Sequence, residues 1–207
     1  NAHFIDYLIT NITINYCSQI WADGSKTFEY RLSSLSVKAK KLEQKIISYQ
    51  LKRMQPIPIK NINPNFIYWG RLNKSKNISA SIRFFKMVCK KYSKANFIII
   101  GKDEGLINNL QKQVLSYGIK DNVKFYKFMP IGRIINLAKN CSFFIQLSFF
   151  EGMAMSVSEA MQLGLVPLVT NVGEIENYCK DKYNSIIYKD DKNTFEEFDK
   201  VLNNKQT

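Results

Sequence analysis

No apolar run in this 207-residue chain approaches the ~18 residues that a bilayer-spanning helix needs. No secretory leader is expected from its opening residues either. Histidine is nearly missing. The single one, His3, sits beside the chain start, which excludes a histidine-based triad or a histidine metal centre. Cys17, Cys89, Cys141 and Cys179 are far apart, form no C-x-x-C pair and lie among apolar residues. Buried, reduced thiols of a cytoplasmic protein are expected of them, in place of disulfides or a zinc site. There is no internal repeat and no low-complexity tract. Acidic residues are the minority, 17 against 30 Lys and Arg, for a net charge of +13. Such a balance speaks to partners, not to fold, and leaves nucleic acid, anionic membrane and phosphorylated ligands open. Lysines spread over helices are by default a solvated face.

What is present is a globular composition, 45% hydrophobic and rich in Phe, Tyr and Ile. The length suits one full α/β domain with a shorter leading segment, or two small domains. The chain begins Asn1-Ala2 without methionine, as a chain trimmed from a longer one would, and these two residues are set aside. Three of the five prolines fall in residues 55–64 (QPIPIKNINP). Proline blocks helix and forces the preceding residue to be extended, so this stretch is read as a linker. Residues 1–60 then form one segment and 61–207 the main domain. Before the linker, residues 5–10 (IDYLIT) read as a strand and 11–20 as a short helix, while 23–34 fit neither pattern. Residues 37–54 read as an amphipathic helix, with Ala39, Leu42, Ile46 and Tyr49 on one side and lysines mostly elsewhere.

After the linker the pattern is regular. Apolar strands are expected at 66–72, 96–100, 123–128, 142–147, 166–170 and 185–188. Helices are expected at 77–92, 106–117, 130–139, 155–163, 174–180 and 194–202. Short strands that are apolar throughout and alternate with helices predict a parallel sheet covered on both faces. Such sheets bind ligands outside the carboxyl ends of their strands. The loops of interest are therefore 72–76, 101–105, 129–130, 148–154 and 171–173.

The first of these regions brings Arg71, Lys74 and Lys76 to a helix start. Free N–H groups there favour an anion, and arginine can grip a phosphate with two hydrogen bonds. Solvated loop charges explain the same residues equally well. The fourth loop carries Glu151, then Gly152, which permits close backbone approach, and Glu159 one turn into the next helix. A carboxylate accepts two hydrogen bonds from a vicinal diol. Taken singly, Glu151 also fits as an acid favourable near a helix start, and Glu159 as a surface acid. Residues 170–174 read as a turn.

The order of these features resembles the C-terminal domain of glycosyltransferase family 4, the retaining GT-B enzymes. The resemblance covers residues 66–190. It runs through Gly70-Arg71-Leu72 with Lys76-Asn77, an apolar strand ending at Gly101, Asn122-Val123-Lys124-Phe125 and Ser148-x-x-Glu151-Gly152. Glu159-Ala160-Met161-Gln162-x-Gly164, the strand 167–170 and Val172-Gly173-Glu174 follow. Glu151 and Glu159 make the family's E-x(7)-E pair. The fold implied is a Rossmann-like parallel sheet with helices on both faces, one half of a GT-B fold, plus a partial N-terminal segment left from the acceptor-side domain.

The resemblance also implies roles. Arg71 and Lys76 would hold the donor diphosphate and stabilise it as a leaving group, and Glu151 would touch the transferred sugar. Glu159 would bind the ribose hydroxyls. Backbone N–H groups of Gly152, Met153, Ala154 and Met155 would complete the phosphate site, with Gly70 and Gly101 beside the substrate. It implies a nucleotide-diphosphate-sugar donor, a glycan or lipid-linked acceptor, retention of anomeric configuration, no cofactor and no essential metal. The setting implied is cell-surface polysaccharide synthesis at the cytoplasmic face.

Where the family usually has Phe, Gly and, in its F-x-G stretch, Gly, this chain has Met153, Ala154 and Lys127; the differences bear on the shape of the sugar pocket. With the acceptor half mostly missing, the chain alone is expected to bind donor and transfer poorly. Competing readings are an epimerase or phosphorylase on the same plan, a non-catalytic relative, and a basic nucleic-acid-binding module, for which no recognised motif is present. A lysine-rich helix over 38–53 is also weighed as a contact with an anionic membrane, at about 1 kcal/mol per lysine near the surface.

Overall fold

A computed structural model describes residues 2–16, 19–22, 43–46, 56 and 62–203. The chain forms two compact units, residues 1–51 and 52–207.

In the first unit Ala2–Tyr16 forms helix α1. Two short strands, β1 (Gln19–Ala22) and β2 (Glu43–Ile46), run parallel, with Gln19 opposite Glu43 and Ala22 opposite Ile46. Three expectations are corrected here. Residues 5–10 are helical and not a strand. Ile5, Leu8, Ile9, Ile12 and Tyr16 recur at steps of three and four, and that period outweighs their β-branched content. The helix expected over 11–20 ends at Tyr16, and residues 19–20 belong to β1. The helix expected over 37–54 contains β2, where pairing with β1 replaces helical hydrogen bonds and overrides the helix propensity of Glu43, Gln44 and Lys45. A basic helix for a membrane surface is thereby lost at its described residues. Residues 23–34 lie outside the described residues, as does residues 55–64 apart from Pro56 and 62–64.

The second unit alternates strand and helix. Its strands are β3 (Phe66–Trp69), β4 (Phe97–Gly101), β5 (Val123–Lys127), β6 (Phe143–Gln146), β7 (Val166–Val169) and β8 (Ile186–Ile187). Its helices are α2 (Ile78–Lys91), α3 (Ile107–Ser116), α4 (Ile131–Ala138), α5 (Met155–Gln162), α6 (Ile175–Tyr178) and α7 (Asp191–Asn203). Each lies at its expected place. The largest boundary shifts are two: β3 ends at Trp69, three residues short of the expected 72, and α7 starts three residues ahead of the expected 194, because Asp190 caps it, its Oδ1 accepting the Asn193 N–H at 2.9 Å.

The sheet order is β5-β4-β3-β6-β7-β8, and every pairing is parallel. Residues of β3, β4 and β6 are buried throughout, as both-face coverage requires. The core centres on Phe66. Its ring lies 5.2 Å from those of Phe143 and Phe198, 5.8 Å from Phe85 and 6.4 Å from Phe97, which joins three strands to α2 and α7. Phe85 belongs to the buried stripe of α2 with Ile78, Ile82 and Val88.

Strand order fixes where a ligand can enter. The chain runs outward from β3 through β4 to β5, then returns to place β6 on the other side of β3. The junction of β3 and β6 is therefore the switch point of the sheet, and ligands of such sheets enter the crevice outside the carboxyl ends of the strands there.

Candidate active site

Both walls of this crevice carry residues singled out by the sequence. After β3 the chain passes through Gly70, Arg71 and Leu72 into a 3-10 turn, Lys74–Lys76. Asn73 caps that turn through its side chain, which accepts the Lys76 N–H at 3.3 Å. After β6 the chain passes through Ser148, Phe149 and Phe150 to Glu151. The two loops are joined by the Phe149 N–H, which donates to the Ser75 carbonyl at 2.8 Å. The loop after β7 closes against them, and the Glu174 N–H donates to the Gly152 carbonyl at 3.0 Å. Gly173 has φ +58°, and a Cβ there would fall 2.1 Å from the Glu151 carbonyl oxygen. Only glycine permits that approach.

At the centre Lys76 Nζ meets both carboxylate oxygens of Glu151, at 2.6 and 2.7 Å. Glu151 is 5% exposed and Lys76 14%. The carboxylate receives two further hydrogen bonds, from Gln146 Nε2 at 2.8 Å and Ser148 Oγ at 2.5 Å. Gln146 is itself oriented by Ser156 Oγ, which donates to its Oε1 at 2.8 Å. A buried ion pair is tolerated when its remaining hydrogen-bonding capacity is filled in this way. Lys76 carries three N–H donors, and Glu151 takes two; the third is the one available to an anion in the crevice.

Glu159, on α5, accepts a hydrogen bond from the Trp69 indole Nε1–H at 2.7 Å. Its second oxygen is not engaged by that bond. Trp69 is the last residue of β3, so this contact spans the crevice from one wall to the other. Ala154 precedes α5 in a left-handed conformation, φ 51° and ψ 58°. Its carbonyl and that of Met153 accept the Tyr178 hydroxyl at 3.3 and 2.8 Å, and burial pushes that hydroxyl well above the usual tyrosine range. Gly152, Met153, Ala154 and Met155 thus form a braced turn leading into α5, whose first N–H groups have no acceptor within the helix.

Three sequence-named residues stand differently. The Arg71 side chain is 65% exposed, its Nη1 3.7 Å from Glu104 Oε1. Gly70 and Gly101 sit back to back. A Cβ on Gly101 would lie 1.9 Å from the Gly70 carbonyl oxygen, so glycine there serves the approach of two strand ends. Sequence reading missed Gln146, Ser156 and Trp69 as supports of the two glutamates. For Gln146 a signal was present, since it is the one amide in an otherwise apolar strand, FFIQ.

A cavity of about 540 Å³ lies beside the crevice at the carboxyl ends of β4 and β5. Leu72, Ile107, Phe125 and Phe128 contribute apolar wall, and Asp103 and Lys127 are among its polar residues. Among the described residues, no group of three or more His, Cys, Asp and Glu is placed to hold a metal ion.

Residues 50–207 match the family model described as "Glycosyl transferases group 1". The chain belongs to that family, and its six-stranded α/β unit is the C-terminal half of the GT-B plan. A GDP-mannose:cellobiosyl-diphosphopolyprenol alpha-mannosyltransferase of Xanthomonas oryzae is 24% identical over 127 residues, 61% of this chain and 33% of the relative. An uncharacterized glycosyltransferase of Methanocaldococcus jannaschii is 29% identical over 168 residues, 77% of this chain and 41% of the relative. The matched part of the chain therefore spans well under half the length of either relative. Among solved structures, a variant of S. aureus TarM in complex with fondaparinux, alpha-GlcNAc-glycerol and UDP superposes with a TM-score of 0.78 at 18% identity, covering 96% of this chain and 38% of that one. Anabaena HepE in complex with UDP and glucose superposes with a TM-score of 0.76 at 13% identity, covering 97% and 58%.

Proposed function

We propose that this chain supplies the donor half of a retaining GT-B glycosyltransferase, binding a nucleotide-diphosphate sugar in the crevice between β3 and β6. The observation that carries the reading is the pairing of Lys76 with Glu151, and of Trp69 with Glu159, across the sheet's switch point. A relative that uses GDP-mannose and structural neighbours solved with UDP, or with UDP and glucose, support a donor of this chemical class.

In this reading the third N–H of Lys76 and the N–H groups at the start of α5 meet the diphosphate, and Arg71 turns from solvent to join them. The bond that breaks joins the anomeric carbon to the diphosphate oxygen, so negative charge grows on the leaving group. Lys76 and the N–H dipoles, already in position, stabilise that charge without reorganising, and Arg71 adds to them once it has turned in. Glu151, locked by Lys76, Gln146 and Ser148, faces the transferred sugar. Glu159 accepts from the ribose hydroxyls with the oxygen that Trp69 leaves open. A glycan or lipid-linked alcohol is the acceptor. Its site is assigned to chain that the larger relatives carry in addition, so this chain alone binds donor and transfers slowly. The reading assigns charge stabilisation to protein groups and calls on no metal.

Calorimetric titration with UDP-, GDP- and ADP-sugars tests it. At least one should bind, and Glu159→Gln should weaken binding about tenfold, the loss of one charge-assisted hydrogen bond to a diol. Equal binding by wild type and variant would contradict the role given to Glu159.

A further inference from the structure

We infer that the cavity at the ends of β4 and β5 takes a guanine base, making the donor a GDP-sugar. This rests on the donor reading above and adds the identity of the base. The cavity lies one to two strand spacings from β3, roughly 5–10 Å, a distance a ribose can bridge from the crevice. Its volume of about 540 Å³ suits a bound nucleoside. Leu72, Ile107, Phe125 and Phe128 offer apolar surface to a flat ring.

The polar groups decide between bases. Asp103 is held in one orientation, because its Oδ1 accepts the N–H groups of Gly105, Leu106 and Ile107 at 3.0, 2.8 and 3.1 Å. All three bonds fall on Oδ1, so Oδ2 remains the edge for a ligand. The rim around it is pinned to the β3 extension: the Leu72 N–H donates to the Lys102 carbonyl at 2.8 Å and the Glu104 N–H to the Leu72 carbonyl at 3.1 Å. Lys102 and Lys127, both exposed, line the same cavity, and Lys127 is register partner of Gly101.

A fixed carboxylate with ammonium groups nearby asks for a base with adjacent N–H donors and a carbonyl acceptor beside them. Guanine has this pattern: N1–H and the N2 amine can share Asp103 Oδ2, and O6 or N7 can accept from a lysine. Adenine turns an acceptor nitrogen and an amine toward the same groups. Uracil offers a single N–H between two carbonyl oxygens, which the carboxylate repels. Because these groups are exposed, an unmatched base loses the bonds themselves and meets like charge, a discrimination of about tenfold.

The test titrates the 207-residue chain with GDP, IDP, UDP and ADP. IDP is the informative probe, since it lacks only the N2 amine. GDP should bind about tenfold more tightly than each of the others. Asp103→Asn keeps a carbonyl oxygen to cap α3 and removes the negative charge, so it should bring GDP to within about twofold of IDP. Lys127→Ala, which touches no cap, should weaken GDP more than UDP. UDP or ADP binding as tightly as GDP, or a GDP preference that survives Asp103→Asn, overturns the inference. If UDP is preferred and Glu159→Gln weakens it, guanine falls and the donor site stands. If none of the four binds, both fall.

Discussion

Four hydrogen bonds converge on the Glu151 carboxylate, two of them from one ammonium. Truncating Lys76 would leave that carboxylate buried with only neutral donors. Lys76→Ala should therefore cost about 3 kcal/mol of stability in urea unfolding, the range for breaking a buried pair. Lys76→Met with Glu151→Leu should cost much less than the sum of the two single changes, since the double change leaves no orphaned charge. A loss below about 0.5 kcal/mol for Lys76→Ala would mark the pair as an ordinary surface one. Ala154 makes a second case. The family's usual glycine is replaced here by alanine, yet the backbone keeps the left-handed conformation. That conformation costs an alanine about 1–2 kcal/mol, against a gain of about 0.5–1 from its lower unfolded-state entropy. Ala154→Gly should thus stabilise the chain by roughly 0.5–1 kcal/mol, seen as a rise in melting temperature. An unchanged or lower midpoint would mean that the alanine methyl packs well enough to offset the strain.

At the scale of elements, β3 to β8 and α2 to α7 were legible because two signals coincided. Short strands such as FIIIG are apolar throughout, and helices such as α2 carry apolar residues at three- and four-residue steps. In residues 1–51 the signals conflicted. Ile and Thr within IDYLIT suggested a strand, while their spacing was helical; β2 is made of residues that favour helix and are held by pairing with β1. Pairing partners 24 residues apart leave no local mark. The site divides in the same way. Glu151 and Glu159 were singled out by the order of motifs around them, since their spacing taken alone fits ordinary acids equally well. Trp69 was not, because its indole meets Glu159 across 90 residues of sequence. Gly101 was placed beside the substrate; it lines the cavity at the ends of β4 and β5, and its backbone also packs against the Gly70 carbonyl. Gly101→Ala should force the ends of β3 and β4 apart and cost about 1–3 kcal/mol, as overpacking does. A nucleotide affinity that falls in proportion would show that strand-end spacing sets the cavity's shape.

For the whole molecule, the thiols give a pH signature. Burial pushes Cys89 and Cys179 up to about 11 and Cys141 up to about 12. All three are free thiols. A thiol whose folded pKa is raised keeps its proton in the folded state. The resulting stability is fully present below the ordinary value of 9.0 and is lost as pH climbs through 11 to 12. Native chain at pH 7.5 should show at most one rapidly titrating thiol, and unfolded chain four. Two or more fast thiols in the folded chain would contradict the burial of this core. The same core holds the crevice rigid. Phe66 and its surrounding rings fix β3 against β6, and so fix Lys76 and Trp69 on one wall against Glu151 and Glu159 on the other. A nucleotide-diphosphate sugar is proposed to enter between these walls. The most direct test is a nitrogen-15 NMR titration with such sugars, the Trp69 indole N–H assigned through Trp69→Phe. Shifts are expected at that indole and at the backbone N–H groups of residues 152–156. Saturable binding that leaves both unmoved, with shifts elsewhere on the sheet, would contradict that placement.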